Sequence, residues 1–211
     1  MESTFCPRDL GSFELFETMR WTPDKGILRR CFHKGRFDKS CGLFGVSADF
    51  DAAVSHITGD APLRLRLAVD AKGHVKCDQV PFHDMGADVV WRIGISETPI
   101  ASSDPFRAVK TTNRAIYDAA RAALSEGIDE MIFLNEHGEV AEGTITNVFI
   151  DLEDEMITPP LGAGCLPGVL RAELIRQGVV RVGRVFLSDL KRADQIYVGN
   201  SLRGLIPCEM K

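Results

Sequence analysis

The stretch from Lys110 to Asn147 limits what this chain can fold into more than any other. It reads K-T-T-N-R-A-I-Y-D-A-A-R-A-A-L, then E-M-I-F-L-N-E-H-G-E-V-A-E-G-T-I-T-N. Ile116, Ala119, Ala120, Ala123 and Leu124 recur at helical spacing, so a helix is expected to follow the lysine. The apolar run Met131–Leu134 predicts a strand, Asn135–Gly138 a turn, and the run carrying Glu142 through Asn147 a second strand. A helix followed by a hairpin would hold one lysine and one glutamate on rigid elements. From residue pattern alone, Lys110 reads equally as a solvated lysine ahead of a helix, and Glu142 as an edge-strand carboxylate.

The 211 residues suffice for one large domain or two small ones with a real core. A formal net charge of −5 gives no electrostatic reason to expect nucleic acid or a membrane surface as partner. No apolar run approaches the ~20 residues that a membrane helix needs. The opening M-E-S-T-F-C-P-R-D has no basic region followed by an apolar one, so no secretory signal is expected. The six cysteines (6, 31, 41, 77, 165 and 208) show neither CxxC nor zinc spacing. Reduced thiols in a cytoplasmic protein, with no metal site, are the expectation.

Along the chain, Phe13–Trp21 predicts a strand, residues 23–26 a turn, and Ile27-Leu28 the start of a hairpin partner. Cys31–Gly45 has helical periodicity, and a short helical stretch is expected near Asp49–Ile57. L-R-L-R-L-A-V-D at 63–70 alternates, which puts Arg64 and Arg66 on one strand face. Further strands are expected at His74–Val80 and at Val89–Ile95, the latter belonging to a first domain. Residues 97–105 read as a linker, giving domains 1–103 and 104–211. Downstream, a loop bearing Gly162, Gly164, Pro167 and Gly168 enters a helix predicted over 169–177. Unpaired N–H groups at such a helix start favour a phosphate, although a merely capped surface helix has the same pattern. A strand is expected at Val179–Phe186, a helix capped by Ser188 over 188–193, and a strand at Gln195–Val198.

Several of these segments resemble one family. V-A-E-G-T-I-T-N-V-F at 140–149 is similar to the E-G-x-x-x-N-[LVI]-F segment of the class IV (fold-type IV) pyridoxal-phosphate enzymes. That family includes branched-chain and D-amino-acid aminotransferases and 4-amino-4-deoxychorismate lyase. K-T-T-N-R at 110–114 resembles its cofactor-lysine segment, and the 158–171 stretch its phosphate loop. F-E-T-M-R at 16–20, H-K-G-R-F-D-K-S-C at 33–41 and G-N-S-L-R-G-L-I-P-C at 199–208 also have counterparts there. P-R-D-L-G-S-F-E-L-F-E-T at 7–18 stands in place of a longer opening element in relatives.

The resemblance implies a mixed α/β (α+β) fold: a small N-terminal α/β domain and a C-terminal pseudo-β-barrel domain with helices, with pyridoxal 5′-phosphate between them. It implies a homodimer acting on a small amino-acid-like substrate. Lys110 would bind the cofactor covalently and then move protons; it must lose its own proton to attack, which burial and neighbouring cations favour. Glu142 would hold the pyridine nitrogen protonated. Arg36, whose planar fork suits phosphate oxygens, would anchor the phosphate together with the amides of Val169 and Leu170 and the hydroxyl of Ser201. Arg20 and Arg64 would face substrate carboxylate, and Thr18 would assist the chemistry. Aminotransferase relatives usually have a tyrosine after the asparagine of the lysine segment, whereas Arg114 follows Asn113 here. That departure points to elimination of pyruvate from 4-amino-4-deoxychorismate, giving 4-aminobenzoate for folate synthesis. A class IV aminotransferase acting on branched-chain or other amino acids is the alternative, and an inactive relative with a binding role a further one.

Overall fold

The computed structural model describes residues 12–86 and 88–211. Cys6 and the first part of the 7–18 segment, through Gly11, lie outside those residues. The chain divides into two compact units. One holds the described residues up to Asp84 together with Val109–Asn113, and the other Met85–Ala108 with Arg114–Lys211.

In the first unit, β1 (Leu15–Thr22), β2 (Gly26–Ile27), β3 (Leu63–Val69) and β4 (Val75–Pro81) form an antiparallel sheet in the order β2-β1-β3-β4. Alternation along β1 buries Leu15, Glu17 and Met19 and leaves Phe16, Thr18 and Arg20 on the less buried face. Helix α1 (Arg30–Phe44) packs against β1, turning His33, Phe37, Cys41 and Phe44 inwards. It stops at Gly45, whose φ of 64° is a left-handed conformation glycine adopts without strain. Helix α2 (Phe50–Val54) starts where the Asp49 side chain accepts the Ala52 N–H at 3.0 Å, and Phe50 meets Phe37 edge-on at 5.7 Å. Residues 109–113 return to this unit as a strap on β1. Phe16 N donates to Lys110 O at 3.0 Å and Thr112 N to Glu14 O at 2.9 Å, so the Lys110 backbone is tied to a strand.

The second unit is built on β5 (Trp91–Ile95), β6 (Glu130–Leu134), β7 (Val140–Gly143), β8 (Asn147–Leu152), β11 (Gln195–Asn200) and β12 (Gly204–Met210). These pair in the order β8-β11-β12-β5-β6-β7, and a further β7–β8 pairing closes the ring into a barrel. Strands β9 (Glu155–Thr158) and β10 (Arg181–Val182) extend the sheet beyond β8. The interior holds Ile93, Ile132, Val140, Val148, Ile150, Val198 and Ile206. Helices α3 (Ala115–Ala122), α4 (Val169–Arg176) and α5 (Leu187–Arg192) pack against β6, β11 and β8 respectively. The expected α/β class, with a barrel-like C-terminal sheet and helices, is what the structure shows.

Five expectations need correction. The strand expected at 89–95 forms as β5, but it lies between β12 and β6 in the barrel rather than in the first unit's sheet. The 179–186 segment forms no continuous strand: Arg181–Val182 pair with β9, and Phe186 makes an isolated bridge to Glu139. Val180 and Val185 are buried, but their odd spacing would put them on opposite faces of a strand, while Val179, Val182 and Phe186 are exposed, so no single face rewards a longer strand. Ser188 does not cap α5, which begins at Leu187; the Asp189 carboxylate accepts the Phe186 N–H at 2.9 Å instead. On α3 the inward residue is Tyr117, with Ile116 and Ala120 beside it, while Ala119 and Ala123 are exposed.

The strand expected to run through 140–147 is broken. Strand β7 ends at Gly143, the chain reverses over Thr144–Thr146, and Asn147 pairs back with Glu142. Glu130, fully buried, causes the reversal. Its Oε1 accepts Met131 N (2.9 Å), Thr144 N (3.0 Å) and Thr144 Oγ1 (2.5 Å); its Oε2 accepts Ile145 N (3.2 Å) and Thr146 Oγ1 (2.9 Å). A Cβ at Gly143 would collide with Thr146 Oγ1 and with the Glu130 carboxyl, so the turn closes only over glycine. Glu130→Gln keeps the shape but turns one acceptor oxygen into a donor, stranding buried N–H or O–H groups. It is expected to lower the unfolding free energy by about 2–3 kcal/mol, read by urea denaturation; an unchanged midpoint would remove Glu130 from this role.

Candidate active site

The first unit contributes a buried ionic cluster and the lysine. Glu17 sits in the core face of β1, where α1 supplies its partners. Arg36 donates from Nε to Oε1 at 2.7 Å and from Nη2 to Oε2 at 2.5 Å, and His33 Nδ1 lies 2.6 Å from Oε2. Burial alone raises the Glu17 pKa, but the Arg36 charge and the hydrogen bonds from His33 and Arg36 outweigh it and bring it to about 2. Burial lowers the His33 pKa despite its contact with Glu17, so at neutral pH a neutral imidazole donates through Nδ1–H. Arg36, expected at a cofactor phosphate, is thus oriented by a carboxylate that grips one side of its fork.

Lys110 Nζ lies 4.7 Å from the centroid of the Phe16 ring, and Arg66 Cζ lies 4.6 Å from the same centroid. Thr18 and Arg20 continue the Phe16 face of β1, with Thr18 directly opposite Arg66 and Arg20 opposite Arg64. Arg20 makes two bonds of 2.6 Å to Asp84 and stacks over Phe82 at 5.2 Å. Arg64 is exposed. Arg66, passed over on sequence, is the β3 arginine that reaches the aromatic ring beneath Lys110; Glu14 lies 3.6 Å from it.

In the second unit, Glu142 on β7 is buried and doubly held. Tyr117 Oη donates to its Oε1 at 2.5 Å and Leu166 N to its Oε2 at 2.9 Å. Asn147, the cross-strand partner of Glu142, donates from Nδ2 to Leu166 O at 3.0 Å. Two residues brought together by the Glu130 turn therefore clamp both backbone polar groups of one residue, Leu166, in the glycine-bearing loop. Two residues further on, a Cβ at Gly168 would overlap Asn147 Oδ1, so the loop backbone approaches as only glycine permits. Helix α4 starts at Val169 with no side chain capping its first turn, and Ser201, buried, follows β11 against which α4 packs.

That first turn suits an anion. The amides of Val169 and Leu170 head a helix whose dipole is positive there. Arg171, next along, is buried with its Nε lacking a hydrogen-bond partner; its Nη2 donates to Pro159 O at 2.8 Å, and among the described residues no carboxylate pairs with it. A phosphate group would supply the missing negative charge. Sequence reasoning missed Tyr117, Glu130 and Arg66. The only legible trace of Glu130 was a carboxylate standing at the entrance to an apolar run.

Residues 14–209 match the family model described as amino-transferase class IV. A solved structure from Mesorhizobium loti, provisionally named an amino-acid aminotransferase, is 38% identical with a TM-score of 0.88, covering 94% of this chain and 100% of that one. Aminodeoxychorismate lyase of Saccharomyces cerevisiae is 29% identical over 140 residues, which are 57% of this chain and 37% of that enzyme. A Thermotoga maritima protein, provisionally named a branched-chain-amino-acid aminotransferase, is 30% identical over 210 residues, 92% of this chain and 75% of that one. The match thus spans well under half of the yeast enzyme.

The Glu17 cluster gives the first unit a defined acid response. A pKa lowered in the folded state confers stability that is complete above the unfolded value and lost as pH falls. His33 therefore begins to cost stability below its ordinary 6.5, and Glu17 adds its loss between 4.5 and about 2. Unfolding free energy measured against pH is expected to fall in both windows. Glu17→Gln is expected to cost roughly 3 kcal/mol at neutral pH, because it strands the Arg36 charge, and to flatten the lower window. A wild-type profile that is flat from about pH 7 to about pH 3 contradicts this account.

Proposed function

Because the chain belongs to the class IV aminotransferase family, we propose that it is a pyridoxal-phosphate-dependent lyase that eliminates pyruvate from 4-amino-4-deoxychorismate, leaving 4-aminobenzoate for folate synthesis. The observation that carries this reading is the seat of Lys110. Its Nζ lies over Phe16, on the β1 face that also bears Thr18 and, across the strand pair, Arg66. A base and a hydroxyl on one rigid face suit a reaction in which protons are taken from and returned to carbon and a carboxylate-bearing fragment departs.

When bound, pyridoxal phosphate supplies an aldehyde that captures amines and a cationic ring that withdraws electrons. In this proposal Lys110 Nζ carries the cofactor and then the protons, and Thr18 Oγ1 assists it. Glu142, fixed by Tyr117 and Leu166, keeps the ring nitrogen protonated. By the family resemblance, the Val169 and Leu170 amides, Ser201 and Arg36 would hold the phosphate, and Arg171 would add positive charge at the first turn of α4. Arg20, Arg64 and Arg66 are the cations proposed for substrate carboxylates; Arg64 is exposed, whereas Arg20 would have to leave Asp84 and Arg66 its contact with Glu14. Arg114 supports the lyase branch: its Nη2 donates to Thr144 O at 2.6 Å, so the residue replacing the aminotransferase tyrosine braces the Glu142 turn. The alternative, an aminotransferase, draws on the breadth of the matches to the Mesorhizobium and Thermotoga proteins. A homodimer working in the cytoplasm is part of the proposal, carried by the family resemblance.

Protein supplied with pyridoxal phosphate is expected to turn yellow and to be bleached by borohydride, whereas Lys110→Ala stays colourless and loses about 10³-fold or more in turnover. With 4-amino-4-deoxychorismate, wild type is expected to release pyruvate with no 2-oxo acid present, and Thr18→Val to slow that release by about 10²-fold. Amino transfer that requires 2-oxoglutarate, without pyruvate release, would replace the lyase with the aminotransferase. A colourless protein that takes up no cofactor would defeat both.

A further inference from the structure

We propose that Tyr117 is a positioning residue for the cofactor-ring carboxylate: its hydroxyl holds Glu142 as an oriented anion at the place where the ring nitrogen binds. The inference rests on the role proposed above for Glu142, and deepens it.

Tyr117 stands in the first turn of α3 and is almost wholly buried. Its ring is fixed on three sides. Phe133 of β6 meets it edge-on at 5.0 Å, Arg107 Cζ lies 4.8 Å from its centroid, and Arg114 Cζ lies 5.5 Å from it. A ring caged in this way has few rotamers left, so the hydroxyl is aimed before any ligand arrives. It is aimed at Glu142 Oε1, 2.5 Å away, while Oε2 is taken from the other side by Leu166 N–H.

The direction of the bond follows from the groups involved. Leu166 N–H can only donate, and the phenol keeps its proton, because burial and then the Glu142 charge raise its pKa above the ordinary value, with Arg107 opposing. Both partners therefore donate, and two donors on one carboxyl favour its ionised form. An anion held at two points is what a protonated pyridine nitrogen needs opposite it. Neither donor alone would suffice: Leu166 ties the carboxylate to the phosphate loop, and Tyr117 ties it to α3. One carboxylate thus joins the ring site to both neighbouring elements.

A ring that only fills space predicts that Tyr117→Phe is harmless, since the cage keeps its occupant. A positioning role predicts a change that depends on the cofactor's ring nitrogen. Affinities for pyridoxal phosphate and for its deaza analogue, in which that nitrogen is replaced by C–H, are measured on wild type, Tyr117→Phe, Glu142→Gln and the double variant. Wild type is expected to prefer the nitrogen ring. Tyr117→Phe should shrink that preference roughly tenfold while leaving the deaza affinity within about twofold. In the Glu142→Gln background the tyrosine change should have no further effect on the preference, because the group through which it acts is gone. An unchanged preference in Tyr117→Phe, equal losses for both compounds, or the same effect with and without Glu142 would each overturn the proposal. A wild type that binds neither compound would overturn the proposed function with it. A wild type that binds both equally would overturn the role of Glu142 alone.

Discussion

The second unit's candidate site depends on one carboxylate that never meets water. Glu130 collects N–H and O–H groups from residues 131 and 144–146, and in doing so reverses a strand that would otherwise run straight on. An ion buried without partners costs many kcal/mol, so Glu130 is tolerable only with its oxygens satisfied; this path of the chain satisfies them, and Arg121 Nη1 lies 3.7 Å from Oε1. That path sets Glu142 opposite Asn147, and the two together clamp Leu166. The clamp fixes the loop that leads into α4, hence the direction of its first-turn amides. Acid and anion seat are consequences of a single buried turn.

The first unit works on the same principle with a different pair. Glu17 would be intolerable among Leu15, Met19 and Phe37 without the fork of Arg36 and the imidazole of His33. Such a pair adds little net stability over an apolar replacement. What it gives is a guanidinium with a fixed direction, on a helix that packs against the strand strapped to Lys110. Buried charge in this chain therefore marks where side chains must be aimed rather than where the fold is strongest.

Much of this was legible in the sequence, and the misses have physical causes. Apolar periodicity marked α1, β1 and β3 because each buries one face, and an unbroken apolar run marked β6 because Ile132 and Phe133 bury both. The same signal says nothing about partners, so β5 was recognised as a strand but given to the wrong sheet; its neighbours β6 and β12 come later in the chain. Strand β12 was not predicted, and its Pro207 is a residue that internal strands rarely hold. The structure accommodates it because pairing with β5 starts only at Cys208. Arg64 and Arg66 share a face, and only the position of Phe16 separates the exposed one from the one at the lysine. Tyr117 went unnoticed in an alanine-rich helix, since nothing local reveals that its hydroxyl meets a carboxylate 25 residues away. The motif residues Lys110, Glu142 and Gly168 stood out because the residues beside them in sequence resemble family segments, whereas their partners in space, Phe16, Tyr117, Leu166 and Asn147, lie far along the chain.

The most direct test of the central claim is to load the protein with pyridoxal phosphate, reduce it with borohydride, digest it and locate the added mass. The account predicts one modified peptide, with the cofactor on the ε-nitrogen of Lys110. A stable adduct on any other lysine, with Lys110 recovered unmodified, would contradict it.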